Sequence, residues 1–444
     1  MSIEMDCKKK DCSKRVSRRL FMQSAASLGL AGLSVPSFAQ TVLDAVVNDG
    51  GRANWGDQFD SRFSRITAKI NSNTPVLSEA TLANLQQAIF VYQDITNRGG
   101  WPQVVIPRSL RIGDVDPSVQ VLRERLILSY DLDKRVGISS AFDSYVDGAV
   151  RNFQARHGLL ADGILEESTI QAMNIPAEIR LQQLNKNYAR LQALVSGNLG
   201  QRYVMVNIPA AYIEAVQDGS VVLRNTAIVG KIDRQTPILN SEIYQVILNP
   251  FWVAPRSIVQ KDIMPLMRQD PTYLKRNNIR LVNNKGVEIP PEQIDWNAPK
   301  APNLMFRQDP GKINAMSSTK INFMNPYSVY MHDTPQRGLF NKIMRFETSG
   351  CVRVSNVRDL NVWLLSKTPG WTRQRMERVI ESRVNTPIKL ANKVPIHFVY
   401  ISAWSSKDHV VQLREDIYNL DGNSLAPNSS IPRKPIPEED FLSN

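Results

Sequence analysis

The sequence predicts a multidomain α+β protein. Two helical regions precede a mostly-β domain that carries a helical insertion. Three observations carry this expectation. The chain has 444 residues, more than one ordinary core holds. Its apolar pattern changes near residue 200 from helical spacing to strand alternation. A polar, more helical stretch then interrupts the strands at about 261–320, and they resume after it.

The first 39 residues read as a cleaved export signal. A basic region from Lys8 to Arg19 precedes a mildly apolar stretch, and "SFA" offers small Ser37 and Ala39 to a signal peptidase. "SRRLFM", with Arg18 and Arg19, looks like a twin-arginine signal, so the expected location is the periplasm, with cleavage near Ala39. Cleavage removes Cys7 and Cys12 and leaves Cys351 alone. Exported proteins pair their cysteines in disulfides, so a single thiol there is either buried and inert or used. The net charge of +12 falls to +8, because seven basic and three acidic residues leave with the signal. A basic surface suits a polyanionic wall or anionic lipid. It would suit nucleic acid equally, but export argues against that partner.

Residues 45–112 read as a helical scaffold region. Its one clear helix, "SEATLANLQQAIFVYQDITNRGG", has Ser78 as cap and Gly99-Gly100 as stop. Residues 113–176 form a compact unit of three helices. The first sets Val119, Leu122, Leu126 and Tyr130 near one face, the second Val146, Ala149, Val150 and Phe153, and the third is capped near Ser168. "AVRNFQARHGLLADGILEESTIQAMN" resembles the peptidoglycan-binding type 1 domain, a three-helix fold. His157 in its "HGL" turn has no partner at metal-ligand spacing and reads as structural. Residues 177–199 read as a linker helix that starts after Pro176.

Residues 200–405 carry the strands, with a hairpin at Asp218-Gly219. His397 lies within an alternating strand and reads as structural, His409 as a surface residue, and 406–444 as a C-terminal extension.

The chemistry concentrates in "HDTPQRGLFNKIMRFETSGCVRV", from His332 to Val354. A neutral thiol is a weak nucleophile, and a neighbouring imidazole activates it by taking its proton. That makes Cys351 the candidate nucleophile and His332 its base. The second imidazole nitrogen needs a partner to set the tautomer, and Asp333, by backbone or side chain, is placed for that. Gly350 permits a tight turn, and its N–H with that of Cys351, at the start of a helix, would face an oxyanion. Arg353 offers a guanidinium fork to a substrate carboxylate. From spacing alone, ordinary core and turn material remains an alternative.

Together with "IVGKIDRQTPIL", "NPFWVAPRSIV" and "RQDPGKINAM", the segment "HDTP…LF…SGCVRV" strongly resembles the L,D-transpeptidases of the YkuD fold, closest to the large proteobacterial type with scaffold and peptidoglycan-binding domains. The resemblance implies that Cys351 is the nucleophile and His332 the general base. Arg353, Ser349, Tyr330 and Trp252 are the candidate substrate-binding residues. Where many members have a histidine before the Gly-Cys pair, this chain has Ser349, as in the large type. Where that type has Asn-Ala-Leu-Gly, this chain reads "NAMSS", so the loop at 316–318 departs from the pattern. The implied reaction is acyl transfer between peptidoglycan tetrapeptide stems through a Cys351 thioester, with loss of D-alanine and without metal or cofactor. The insertion at about 261–320 resembles a lid over the donor groove. Carbapenem-type β-lactams are the implied covalent inhibitors, and other wall-synthesis proteins are conceivable partners. Hydrolysis by an L,D-carboxypeptidase, attachment of an outer-membrane protein to the wall, and a non-catalytic wall-binding scaffold are the alternatives.

Overall fold

The computed structural model describes residues 72–407 and 410–422. The export segment with Cys7, Cys12, Arg18 and Arg19 lies outside the described residues, as do 40–71, His409 and 423–444.

Helix α1 (Glu79–Asn97) begins where Ser78 accepts a hydrogen bond from the Thr81 N–H at 3.2 Å. It ends at Gly99 and Gly100, both with positive φ. Helices α2 (Ser118–Leu128), α3 (Ser144–Arg156) and α4 (Glu167–Met173) form the small bundle around Val119, Leu122, Leu126, Val150 and Phe153. Tyr130 departs from the expected face. Helix α2 ends two residues before it, its φ is 61°, and its side chain is 66 % exposed. The cap of α4 is Glu166, not Ser168, which lies within the first turn. His157 is buried, stacked on Phe153 and bonded through Nδ1 to the Phe153 carbonyl, as a structural histidine should be. Helix α5 (Ala177–Val195) sets Leu181, Leu184 and Leu191 in one core with Leu85 and Tyr92 of α1.

The main sheet has nine strands. They are β1 (Arg202–Asn207), β2 (Tyr212–Gln217), β3 (Ser220–Gly230), β4 (Leu239–Leu248), β9 (Thr319–Phe323), β10 (Met331–His332), β11 (Phe346–Thr348), β12 (Val352–Val354) and β13 (Thr386–Val399), with β5 to β8 in the insertion. The order is β11-β3-β12-β10-β9-β4-β13-β1-β2, and β2 also pairs with β3, so the sheet closes on itself. The β2–β3 turn is the expected Asp218-Gly219, both residues at positive φ. Closure leaves fewer open edges and encloses a core of Val204, Val206, Val246, Ile321, Met331, Val352 and Val354. Leu360 and Leu364 of α6 (Val357–Leu365) and Met376 of α7 (Arg373–Ser382) join the same core.

The insertion between β4 and β9 has its own core of Val259, Ile263, Met264, Leu274, Leu281 and Phe306. Its first half is helical, as expected, and includes a π-turn at Val259–Ile263. Three strands after the helices and one before them form a four-stranded sheet, ordered β5 (Trp252–Val253), β8 (Met305–Gln308), β6 (Ile279–Val282), β7 (Glu288–Ile289). After the main sheet, β14 (Ala403–Lys407) and β15 (Val410–Leu413) form a hairpin. Beyond it, the Tyr418 hydroxyl donates to the Gly230 carbonyl at 2.6 Å. The described part of the extension is thus packed against the strand domain.

Candidate active site

Three adjacent strands build the site. Strand β10 pairs antiparallel with β9, His332 opposite Lys320, and parallel with β12, His332 in register with Arg353. Paired residues share a face, and neighbours along a strand alternate. Met331, Val352 and Ile321 face the closed core. Lys320, His332 and Arg353 therefore form a row on the opposite face. Tyr330 and Cys351 form the adjoining row, tied by the Val352 N–H to the Tyr330 carbonyl at 3.1 Å. This register, not sequence spacing, brings thiol and imidazole to one surface.

His332 is buried, 7 % exposed. Its Nδ1 bonds to the Asp333 backbone carbonyl at 2.7 Å. A carbonyl only accepts, so Nδ1 carries the hydrogen and Nε2 is left as the base. Asp333 thus orients the ring through its backbone. Its carboxylate instead accepts from the Ser318 hydroxyl at 2.6 Å, the Ser318 N–H at 3.2 Å and the Thr334 N–H at 2.8 Å. Burial, helped by the nearby Arg353 charge, pushes the His332 imidazole down to about 4. At neutral pH it is uncharged and free to accept a proton.

Cys351 is half-buried and unbridged. Burial pushes its thiol up, while Tyr330, Lys320 and Arg353 pull the other way. The Tyr330 hydroxyl lies beside the sulfur and beside Trp252 of the insertion. Its ring meets that of His332 edge to face, centroids 5.5 Å apart. Tyr330, expected at the substrate, thus stands next to the thiol, with Trp252 behind it.

The turn before Cys351 is held on several sides. Gly350 has φ 107°, and a Cβ there would lie 3.3 Å from the Gln235 carbonyl oxygen, so a side chain is excluded on two counts. Its carbonyl accepts from Thr236 Oγ1 at 2.9 Å. Its N–H donates to Thr348 Oγ1 at 3.3 Å. The Cys351 N–H has no hydrogen-bond partner among the described residues. One correction concerns the helix. Cys351 leads into strand β12, and α6 begins only at Val357, so the nucleophile does not sit at the start of that helix. Arg353 donates to Gln336 Oε1 at 3.0 Å and has no ion-pair partner among the described residues.

Residues 201–380 match the family profile of the L,D-transpeptidase catalytic domain, YkuD. Residues 115–173 match that of the "Putative peptidoglycan binding domain". A Haemophilus influenzae protein named "Putative L,D-transpeptidase" is 34 % identical over 270 residues, 59 % of this chain and 54 % of the relative. The chain thus spans about half the length of the curated relative it matches. Among solved structures, an L,D-transpeptidase (residues 123–326) from Xylanimonas cellulosilytica is 16 % identical, covering 66 % of this chain and 99 % of its own, with a TM-score of 0.21. One from Stackebrandtia nassauensis is 11 % identical, covering 65 % and 94 %, with a TM-score of 0.24.

Within the region that matches the YkuD profile, further residues shape the site. Arg234 of "GKIDRQTPIL" donates to the Ser349 hydroxyl at 2.9 Å and pairs with Asp262 of the insertion at 2.6 Å. Ser349 is therefore a link in the chain from insertion to cysteine turn. Lys320 lies with its ammonium 4.2 Å from the centre of the Tyr330 ring. Thr236, Thr348, Gln336 and Asn361 complete the support. The sequence marks Arg234 and Thr236 only as members of a motif, and nothing in it separates Lys320 from an ordinary strand lysine.

Proposed function

We propose that the chain is an L,D-transpeptidase that joins peptidoglycan stems through a thioester on Cys351. The observation that carries this reading is the shared face of Lys320, Tyr330, His332, Cys351 and Arg353 across β9, β10 and β12. The Cys351 sulfur attacks the carbonyl carbon between diaminopimelate and the terminal D-alanine, and His332 Nε2 takes the thiol proton. The Cys351 N–H, free of a partner among the described residues, and the Gly350 N–H are the backbone donors proposed for the oxyanion. The C–N bond breaks, His332 returns the proton to the leaving nitrogen, and D-alanine departs. The side-chain amine of a second stem then attacks the thioester. His332 takes that proton and returns it to the sulfur. The neutral imidazole with its Nδ1 locked supports this double use. The small bundle supports attachment to the glycan wall, and Arg18-Arg19 supports a periplasmic place of work.

Purified protein incubated with disaccharide-tetrapeptides should yield a crosslinked dimer lacking one D-alanine, read by mass spectrometry. Cys351→Ser should yield none. Bare tripeptide would sink the transfer reading in favour of hydrolysis, and unchanged substrate would favour a scaffold. A carbapenem should add its mass to Cys351 alone in the mature chain.

A further inference from the structure

We infer that Lys320 is a substrate-binding residue, its ammonium receiving the terminal carboxylate of the acyl donor beside His332. This rests on the transpeptidase reading above. Three observations carry it. Lys320 stands directly opposite His332 in the β9–β10 register, on the side away from Arg353. Its ammonium lies 4.2 Å from the Tyr330 ring centre, and Tyr330 stands beside Cys351, the Val352 N–H bonded to its carbonyl at 3.1 Å. It makes no ion pair or side-chain hydrogen bond among the described residues, although it is partly buried.

A lysine drawn from solvent without a counter-ion is costly unless a ligand supplies one. The carboxylates of the neighbourhood are occupied or turned elsewhere. Asp333 is bonded to Ser318 and Thr334, Asp262 to Arg234, and Glu347 to Lys342. A cation is therefore waiting at the face where the reaction occurs. The leaving nitrogen must lie against His332 to receive its proton. Its carboxylate is one carbon further on. With Cys351 and Arg353 on β12, the remaining side of His332 is that of Lys320. The row thus assigns a place to each part of the donor: acyl carbon at Cys351, leaving nitrogen at His332, terminal carboxylate at Lys320.

Two measurements test this. The first uses a tetrapeptide donor and its C-terminal amide. Lys320→Gln should raise KM for the carboxylate donor about tenfold, the worth of one charge-assisted hydrogen bond. It should leave KM for the amide nearly unchanged, and Lys320→Arg should restore most of the preference. The second compares Cys351 alkylation by iodoacetate and iodoacetamide, where sulfur bonds to carbon and iodide leaves in both cases. The anionic reagent should lose its relative advantage in Lys320→Gln and keep it in Lys320→Arg. If Lys320→Gln shifts both donors equally and leaves the alkylation ratio at the wild-type value, the inference is overturned. A wild-type enzyme that fails to crosslink yet shows the Lys320-dependent ratio overturns the transpeptidase reading and supports the anion site.

Discussion

Ser317 takes a left-handed turn at φ 48°, at the position where the "NAMSS" stretch departs from the Asn-Ala-Leu-Gly of the proteins it resembles. A residue with a Cβ there costs roughly 1–2 kcal/mol relative to a helical or extended backbone. Part of that cost returns with glycine's greater freedom in the unfolded chain. Ser317→Gly should therefore raise stability by about 1 kcal/mol, read as a higher midpoint in urea, with no loss of crosslinking. A lower midpoint would show that the serine side chain matters more than the backbone. At Cys351 and His332 the directions oppose a resting ion pair. Burial pushes the thiol up and the imidazole down to about 4. Near pH 7 both are neutral, so proton transfer accompanies attack. Alkylation of the wild type should rise with pH as the thiol ionises, with no fast plateau on the acid side. His332→Ala should slow acylation by stem peptide roughly 100-fold or more near neutral pH, and less at high pH. Equal acylation rates at neutral pH would remove His332 as the base. These two residues are legible in the sequence because few residue types do this chemistry. The partners of Asp333 are not, because a carboxylate and a carbonyl at one position are indistinguishable until the backbone is placed.

At the scale of elements, the cysteine turn depends on Thr236. Its hydroxyl receives the Gly230 N–H at 2.8 Å and donates to the Gly350 carbonyl at 2.9 Å, tying the loop after β3 to the residue before the nucleophile. Thr236→Val keeps the shape and deletes both bonds, leaving buried polar groups unpaired at about 1–3 kcal/mol. The expected result is a folded protein with a lower kcat and slower Cys351 alkylation. Unchanged kcat would show that Gly350 is held by its own φ alone. The insertion is tied to this turn through Asp262, Arg234 and Ser349. Its presence is readable in the change of pattern near residue 261. Its four-stranded sheet is less so, because β5 and β7 have two residues each and β5 pairs only with the distant β8.

Across the molecule, the helical region and the strand domain meet at a buried carboxylate. Glu214 of β2 is fully buried, accepts the Val76 N–H at 3.0 Å and pairs with Arg224 of β3 at 2.7 Å. Removing one partner of such a pair strands the other charge, at about 3–5 kcal/mol. Arg224→Ala should lower the midpoint of denaturant unfolding accordingly. Restoration by Arg224→Ala with Glu214→Gln would confirm charge, not packing, as the cause; equal loss in both would refute it. The proposed export through Arg18-Arg19 belongs to this scale as well. Replacing Arg18 and Arg19 with lysine should hold the precursor in the cytoplasm, as fractionation would show, and normal export would point to the general secretory route.

By itself the sequence determined the class of each region. Helical spacing, the caps at Ser78 and Gly99-Gly100, and the Asp218-Gly219 turn are local properties, written within a few residues of where they act. It also named the thiol and the imidazole. Only the tertiary structure decided closure of the sheet through the β2–β3 pairing, and the register that sets Lys320, His332 and Arg353 in one row. Register depends on how each strand meets its neighbours, and those neighbours are far away in the chain. A one-residue slip of β9 would turn Lys320 into the core and away from the site. The local pattern of β9 states that its residues alternate. What lies opposite each of them is decided by the closed sheet as a whole.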